Sequence, residues 1–200
     1  MKTLCVFCGS SLGSQGIYRE QAELFGRILA ENGIRLIYGG GNVGIMGVLA
    51  DSVLKSGGEV TGVMPKNIVE LRIAHEGLTE MLVVDDMHQR KMTMAGLSDA
   101  FVALPGGLGT LDELTEILTF NQLRISDKPI GIFNINGYFD PLLAFLDHAV
   151  EEKFIREEHR RNMIVDDDPA QLFEKLKAYQ PLQIHHWIED LKRENSLDNL

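Results

Sequence analysis

The sequence predicts an α/β fold, a parallel sheet with helices on both of its faces. Three observations carry that expectation. Short apolar runs alternate along the chain with longer segments of helical periodicity. Three turns rich in glycine or serine each follow an apolar run: Gly9–Ser14, Gly39–Gly44 and Pro105–Gly109. At 200 residues the chain is long enough to bury a core without staples. Ligands of such sheets bind at the carboxyl ends of the strands, so all three turns are expected on one edge of the molecule.

The elements follow in order. Leu4 to Phe7 is a buried strand, and Gly9–Ser14 is the loop after it. A helix runs from Ile17 to Asn32, with Leu24, Phe25, Ile28 and Leu29 on one face and Gly33 as its stop. Ile34 to Tyr38 is the second strand. The helix after its glycine turn runs through Val48, Leu49, Val53 and Leu54 and ends at Gly57-Gly58. Val60 to Met64 is the third strand, closed by Pro65. Asn67 to Thr79 reads as loop with some helix, Met81 to Val84 as a short strand, Met87 to Leu97 as a helix and Ala100 to Leu104 as a strand. In the helix Thr110–Gln122, residues Leu111, Leu114, Ile117 and Leu118 repeat at helical spacing, and Thr110 is expected to cap it. Pro129 to Phe133 is the next strand and Asn134 to Asp140 a polar loop. Pro141 then opens a helix carrying Leu142, Leu143, Phe145, Leu146 and Val150. Met163 to Val165 is a short apolar piece, and Pro169 precedes a last helix, Ala170 to Tyr179. This gives one domain over 1–180 and a polar C-terminal tail over 181–200.

The composition is 44% hydrophobic and 24% charged, that of an ordinary globular protein. The net charge is −10 with no basic block, which argues against nucleic acid or an anionic membrane as partner. The apolar run before Gly9 is too short for a signal segment, and no stretch approaches the roughly 20 residues of a membrane span. With two cysteines and no export signal, a reducing, cytoplasmic setting is expected.

The chemistry concentrates around Pro105-Gly106-Gly107-Leu108-Gly109-Thr110-Leu111-Asp112-Glu113. Glycines let a ligand approach the backbone, and the free N–H groups and positive dipole end of the following helix favour an anion. Glu113 lies behind that anion site, at the edge of the buried arc, whereas Asp112 lies on the far side. A first-turn acid also suits a helix N-terminus for dipole reasons alone. Arg90 falls with Met87, Met94 and Leu97 on the apolar stripe of its helix. It is either a snorkelling cation or a buried guanidinium facing a carboxylate or a phosphate, with Glu113 its natural partner. Lys91, at the stripe's edge, is within reach of a phosphate.

Other motifs resolve less. Gly39, Gly41 and Gly44 match G-x-G-x-x-G, but the next strand ends Thr61-Gly62-Val63-Met64-Pro65 without the ribose-binding acid of a dinucleotide site, so the turn reads as one lining a phosphate or nucleotide, or as a structural tight turn. Cys5 and Cys8 form C-x-x-C along a strand, where odd spacing sends the side chains to opposite faces. The six histidines show no metal spacing, and no G-x-S-x-G occurs. No metal and no cofactor are expected.

Taken in order, Cys5-Val6-Phe7-Cys8-Gly9-Ser10-Ser11, Gly39-Gly40-Gly41 with Gly44 and Met46-Gly47, Met87-His88-Gln89-Arg90-Lys91, and Pro105 to Glu113 resemble the LONELY GUY (LOG) family of cytokinin riboside 5′-monophosphate phosphoribohydrolases over roughly residues 1–155. The resemblance implies a Rossmann-like doubly wound fold and a homodimer with sites near the subunit interface. It implies hydrolysis of AMP or an N6-modified AMP to free base and ribose 5-phosphate, with Glu113 and Arg90 as the catalytic pair. Substrate contacts are implied at Ser10, Gly41, Lys91, Gly106, Gly107, Leu108, Gly109, Thr110, Leu111, Asp112 and Thr119. The chain departs from the family pattern at Phe120, Asn121, Arg124 and Ser126, and carries Arg72 where an acid is usual, changes that bear on base preference. A lysine decarboxylase, a label often attached to this family, would need a pyridoxal phosphate lysine in a defined site. A non-catalytic nucleotide or cofactor carrier is the rival reading, and it would not require Glu113 and Arg90 together.

Overall fold

The computed structural model describes residues 1–181, so all of the expected tail except its first residue lies outside the described residues. Among the described residues seven strands form one sheet in the order β4-β3-β2-β1-β5-β6-β7. They are β1 (Thr3–Phe7), β2 (Arg35–Tyr38), β3 (Val60–Pro65), β4 (Glu80–Val84), β5 (Ala100–Ala103), β6 (Ile130–Phe133) and β7 (Ile164–Asp166). Every neighbouring pair is parallel. The helices between them are α1 (Gly16–Glu31), α2 (Gly44–Lys55), α3 (Lys66–Val69), α4 (Met87–Leu97), α5 (Leu108–Gln122), α6 (Asp140–Glu151), α7 (Glu157–Arg161) and α8 (Pro169–Ala178).

Strand alternation divides the core into two layers. Leu4 and Val6 of β1 face one side, where Phe25 and Leu29 of α1, Leu49 and Val53 of α2 and Phe173 of α8 pack. Cys5 and Phe7 face the other, against Met94 of α4, Leu114 and Ile117 of α5 and residues around α6. Both faces of every central strand are therefore buried, which is why these strands read as continuous apolar runs. Each large side chain fully buried here contributes about 1.5–3 kcal/mol relative to exposure. The two cysteines are free and lie in different layers, as their odd spacing requires, so this C-x-x-C is not arranged as a dithiol pair.

The chain runs outward from β1 to β4, then returns to place β5 on the other side of β1. The reversal opens a crevice at the carboxyl ends of β1 and β5. The three turns meet there. The Gly9 N–H donates to the Pro105 carbonyl at 3.0 Å, the Met46 N–H to the Gly9 carbonyl at 3.3 Å and the Ile45 N–H to the Ser11 carbonyl at 3.3 Å.

Two elements differ from expectation. The helix after the third turn begins at Leu108, with Gly107 in extended conformation at the cap position and no side-chain cap. Thr110 is thus inside the first turn and does not cap it. Between α6 and β7 lies α7, which no periodicity announces because none of its residues is buried.

Candidate active site

A cavity of about 240 Å³ opens at the carboxyl ends of β1, β2 and β5, and Glu113, Arg90, Ser10, Gly107, Gly109 and Thr110 are on its wall. Leu108 is also there, 86% exposed at the mouth. Since no side chain caps α5, the N–H groups of its first turn are left for a ligand.

Each functional side chain is delivered by local structure. Asp86 caps α4, its carboxylate accepting from the Gln89 N–H at 2.7 Å, while the Gln89 side-chain oxygen accepts from the Asp85 N–H at 2.8 Å. This reciprocal arrangement starts the helix and places Arg90 one turn in. Arg90 then crosses the sheet edge. Its Nε–H donates to the Val63 carbonyl at 3.1 Å, and Nη1–H donates to Glu113 Oε1 at 2.7 Å and to Met87 Sδ at 3.2 Å. The cation on the apolar stripe is therefore paired with a carboxylate.

Glu113 is only 8% exposed. Burial pushes its carboxyl above the ordinary carboxylate range, and the Arg90 guanidinium beside it opposes that rise. Cys8, on the same wall, has its thiol pushed far up by burial and then by the Glu113 charge. It is a neutral thiol at physiological pH and a poor nucleophile.

Other residues named by the resemblance lie elsewhere in this chain. Lys91 pairs with Asp112 at 3.2 Å and Glu116 at 3.1 Å. Partial burial pulls its ammonium down, but Glu116 and Asp112 outweigh that and hold it above the ordinary lysine range. Thr119 lies on a separate cavity of about 130 Å³, its hydroxyl donating to the Thr115 carbonyl at 2.8 Å. At 1.5 Å of rise per residue it is about 9 Å along the helix from Glu113. Leu111 packs against the core layer of α4 and α5. The Gly41 carbonyl accepts from the Tyr38 hydroxyl at 3.2 Å, and Gly41 bridges to Ala74. Gly106 borders a second cavity of about 240 Å³, which shares Ser10 and Gly107 with the first and is lined further out by Tyr18 and Tyr138.

Gly39, flagged in the sequence as part of a glycine turn, is on the main wall; sequence reasoning assigned no site role to Cys8 and Met46 beside it or to Tyr138 behind it. Cys8 could have been found, since it stands just past the end of the central strand β1. Tyr138 donates its hydroxyl to the Gly106 carbonyl at 2.7 Å across 32 residues, and nothing local signals that. Among the described residues no cluster of three histidine, cysteine or acidic side chains is arranged to hold a metal ion. No described helix is long and apolar enough to cross a membrane.

The family described as "Possible lysine decarboxylase" matches residues 46–176. A probable cytokinin riboside 5′-monophosphate phosphoribohydrolase of Oryza sativa subsp. japonica, LOGL2, is 48% identical over 180 residues, spanning 90% of this chain and 74% of its own. The cytokinin riboside 5′-monophosphate phosphoribohydrolase LOG1 of Arabidopsis thaliana is 46% identical over 180 residues, spanning 90% and 84%. Among solved structures, the molybdenum cofactor binding protein of Rippkaea orientalis superposes with a TM-score of 0.68 at 22% identity, covering 89% of this chain and 97% of that one. The Rossmann-like architecture is common to both, and at that identity the likeness concerns the fold alone.

Proposed function

This chain belongs to the family of cytokinin riboside 5′-monophosphate phosphoribohydrolases, and we propose that it hydrolyses the N-glycosidic bond of AMP or an N6-modified AMP. The C1′–N bond breaks, the oxygen of water joins C1′, and a proton passes to the base, giving free base and ribose 5-phosphate. The observation that carries this reading is the buried Arg90–Glu113 pair, 2.7 Å apart, on the wall of a cavity that also holds the uncapped start of α5.

The 5′-phosphate binds the N–H groups of Gly107 to Thr110, where the helix dipole favours an anion. Fixing the phosphate orients the ribose and lowers the barrier by positioning. As the base departs, positive charge develops on the sugar, and the Glu113 carboxylate stabilises it and activates water or attacks C1′ directly. Arg90 carries a guanidinium, a group that serves as a fixed cation and not as a general acid. It holds Glu113 in place and opposes the effect of burial on its ionisation. A decarboxylase role finds no support in Lys91, whose ammonium is committed to Asp112 and Glu116. The protein acts as a cytoplasmic homodimer built from one domain per chain. The exposed Leu108 at the cavity mouth, an apolar side chain suited to cover by a second copy, supports that arrangement.

Incubation with AMP and with N6-isopentenyl-AMP, with chromatography for the base and a reducing-sugar assay for ribose 5-phosphate, tests the reading. Equal release of both products is expected from at least one substrate. Tight binding without release from either would leave a carrier in its place.

A further inference from the structure

We propose that Gly39 is a positioning residue, kept side-chain-free so that the Arg90 guanidinium can lie against it and meet Glu113. The inference rests on the assignment of Arg90 and Glu113 to the reaction.

Gly39, Gly40 and Gly41 look like one nucleotide-type turn in the sequence, but they do different work. Gly40 has φ of 79° and needs to be glycine for its backbone. Gly39 is not among the positive-φ glycines, so its φ does not demand glycine. The space does not. A methyl built on Gly39 overlaps Nη2 of Arg90, far inside van der Waals contact, and lies 3.2 Å from Cζ. The next neighbour, Met46 Sδ, is at an ordinary 3.6 Å. What the missing side chain accommodates is therefore the guanidinium.

The remaining edges of that guanidinium are already engaged, Nε by the Val63 carbonyl and Nη1 by Glu113. The group is a rigid plane. Pushing Nη2 off Gly39 turns the plane and carries Nε and Nη1 with it, so the two hydrogen bonds cannot both survive. Glu113 would then lose the charge that offsets its burial, while the start of α5, on a different turn, would be untouched.

The test is a double-mutant cycle with wild type, Gly39→Ala, Arg90→Lys and the double variant. Lysine keeps a cation for Glu113 but has no atom in the place of Nη2. In the wild-type background Gly39→Ala should lower kcat by about 100-fold, the scale of an ångström's misplacement at a reacting centre. KM should hardly change, and the acidic limb of the pH profile should move to higher pH. In the Arg90→Lys background the same substitution should change kcat by no more than about twofold. Thermal melting without substrate gives a second cycle: a Tm drop on the order of 5 °C with Arg90 present, and little in the Arg90→Lys background, where the overlap is gone. If Gly39→Ala fails to fold alone, recovery of folded protein in the double variant supports the seat, and failure of both overturns it. Equal losses in both backgrounds would overturn it too, since the glycine would then serve the turn itself. A wild-type protein that releases no base would refute the proposed function instead, and the melting cycle would still decide whether Gly39 seats Arg90.

Discussion

Replacing Glu113 by glutamine removes one negative charge from a buried site and keeps the shape and an oxygen that can accept from Arg90 Nη1, now 2.7 Å from the carboxylate. The charge that matters appears only as the glycosidic bond breaks, so the loss should fall on kcat. A carboxylate acting in this way contributes about 10²–10⁴-fold, or about 3–5 kcal/mol at 1.36 kcal/mol per decade. Substrate binding has the opposite sign. The phosphate sits at the start of α5, and a nearby carboxylate repels it, so AMP affinity should stay within about threefold or tighten, a change below 1 kcal/mol. The pH dependence gives a third readout. Burial raises the Glu113 pKa, with Arg90 opposing, so wild-type activity should rise with pH through a value above the ordinary carboxylate range. The glutamine variant should lack that limb. The linked stability runs the other way. The folded state binds the Glu113 proton more tightly than the unfolded chain, so this group's contribution falls as pH rises from the ordinary carboxylate range to the raised value. Stopped assays for ribose 5-phosphate, calorimetry with AMP and melting across pH measure all three. A variant that keeps kcat while losing AMP affinity would make Glu113 a binding group and refute the mechanism. Full activity would remove it from the site altogether.

Two further expectations concern the frame of the site. Tyr138→Phe deletes the 2.7 Å hydrogen bond to the Gly106 carbonyl and should cost about 0.5–1.5 kcal/mol of stability by urea denaturation; it should raise KM more than it lowers kcat, and unchanged KM would mean that the turn is rigid without the tyrosine. Asp99 ties β1 to β5 by accepting from the backbone N–H of Lys2 at 2.6 Å and of Thr3 at 3.1 Å, and the Lys2 bond, ahead of that from Thr3, holds its carboxyl below the ordinary range. Because that pKa is depressed, the stabilisation is present above the ordinary aspartate value and is lost as pH falls through the folded one, so Asp99→Asn should lower stability by about 1 kcal/mol near neutrality and the difference in Tm from wild type should close in acid; a gap that persists at low pH would assign the effect to packing.

The places where the sequence reading and the structure part have local causes. The start of α5 lies two residues before the expected Thr110 because Gly107 takes the cap position and Gly109, which reads as part of the glycine turn, lies inside the first helical turn. The helix α7 is short and has no buried face, so no periodicity could reveal it. Lys91 and Arg90 are adjacent in sequence, yet a step of about 100° around the helix sends one to Asp112 and Glu116 and the other to Glu113.

What the sequence determined by itself was whatever repeats over a few residues. Apolar runs and helical stripes gave the order of strands and helices, and the rule for parallel sheets put three glycine turns at one edge. The helical wheel brought Arg90 and Glu113 forward as a pair, because a cation and an acid on apolar stripes need each other once buried. What only the tertiary structure decided depends on residues far apart in the chain. The return of β5 to the flank of β1 creates the crevice, Tyr138 clasps Gly106 from another loop, and Cys8 is made inert by burial and then by the charge of Glu113. Gly39 belongs here as well: its spacing suggested a nucleotide turn, and the guanidinium of a residue 51 positions later is what occupies the room it leaves. Such contacts are set by three-dimensional packing, which carries no local period for a sequence to display.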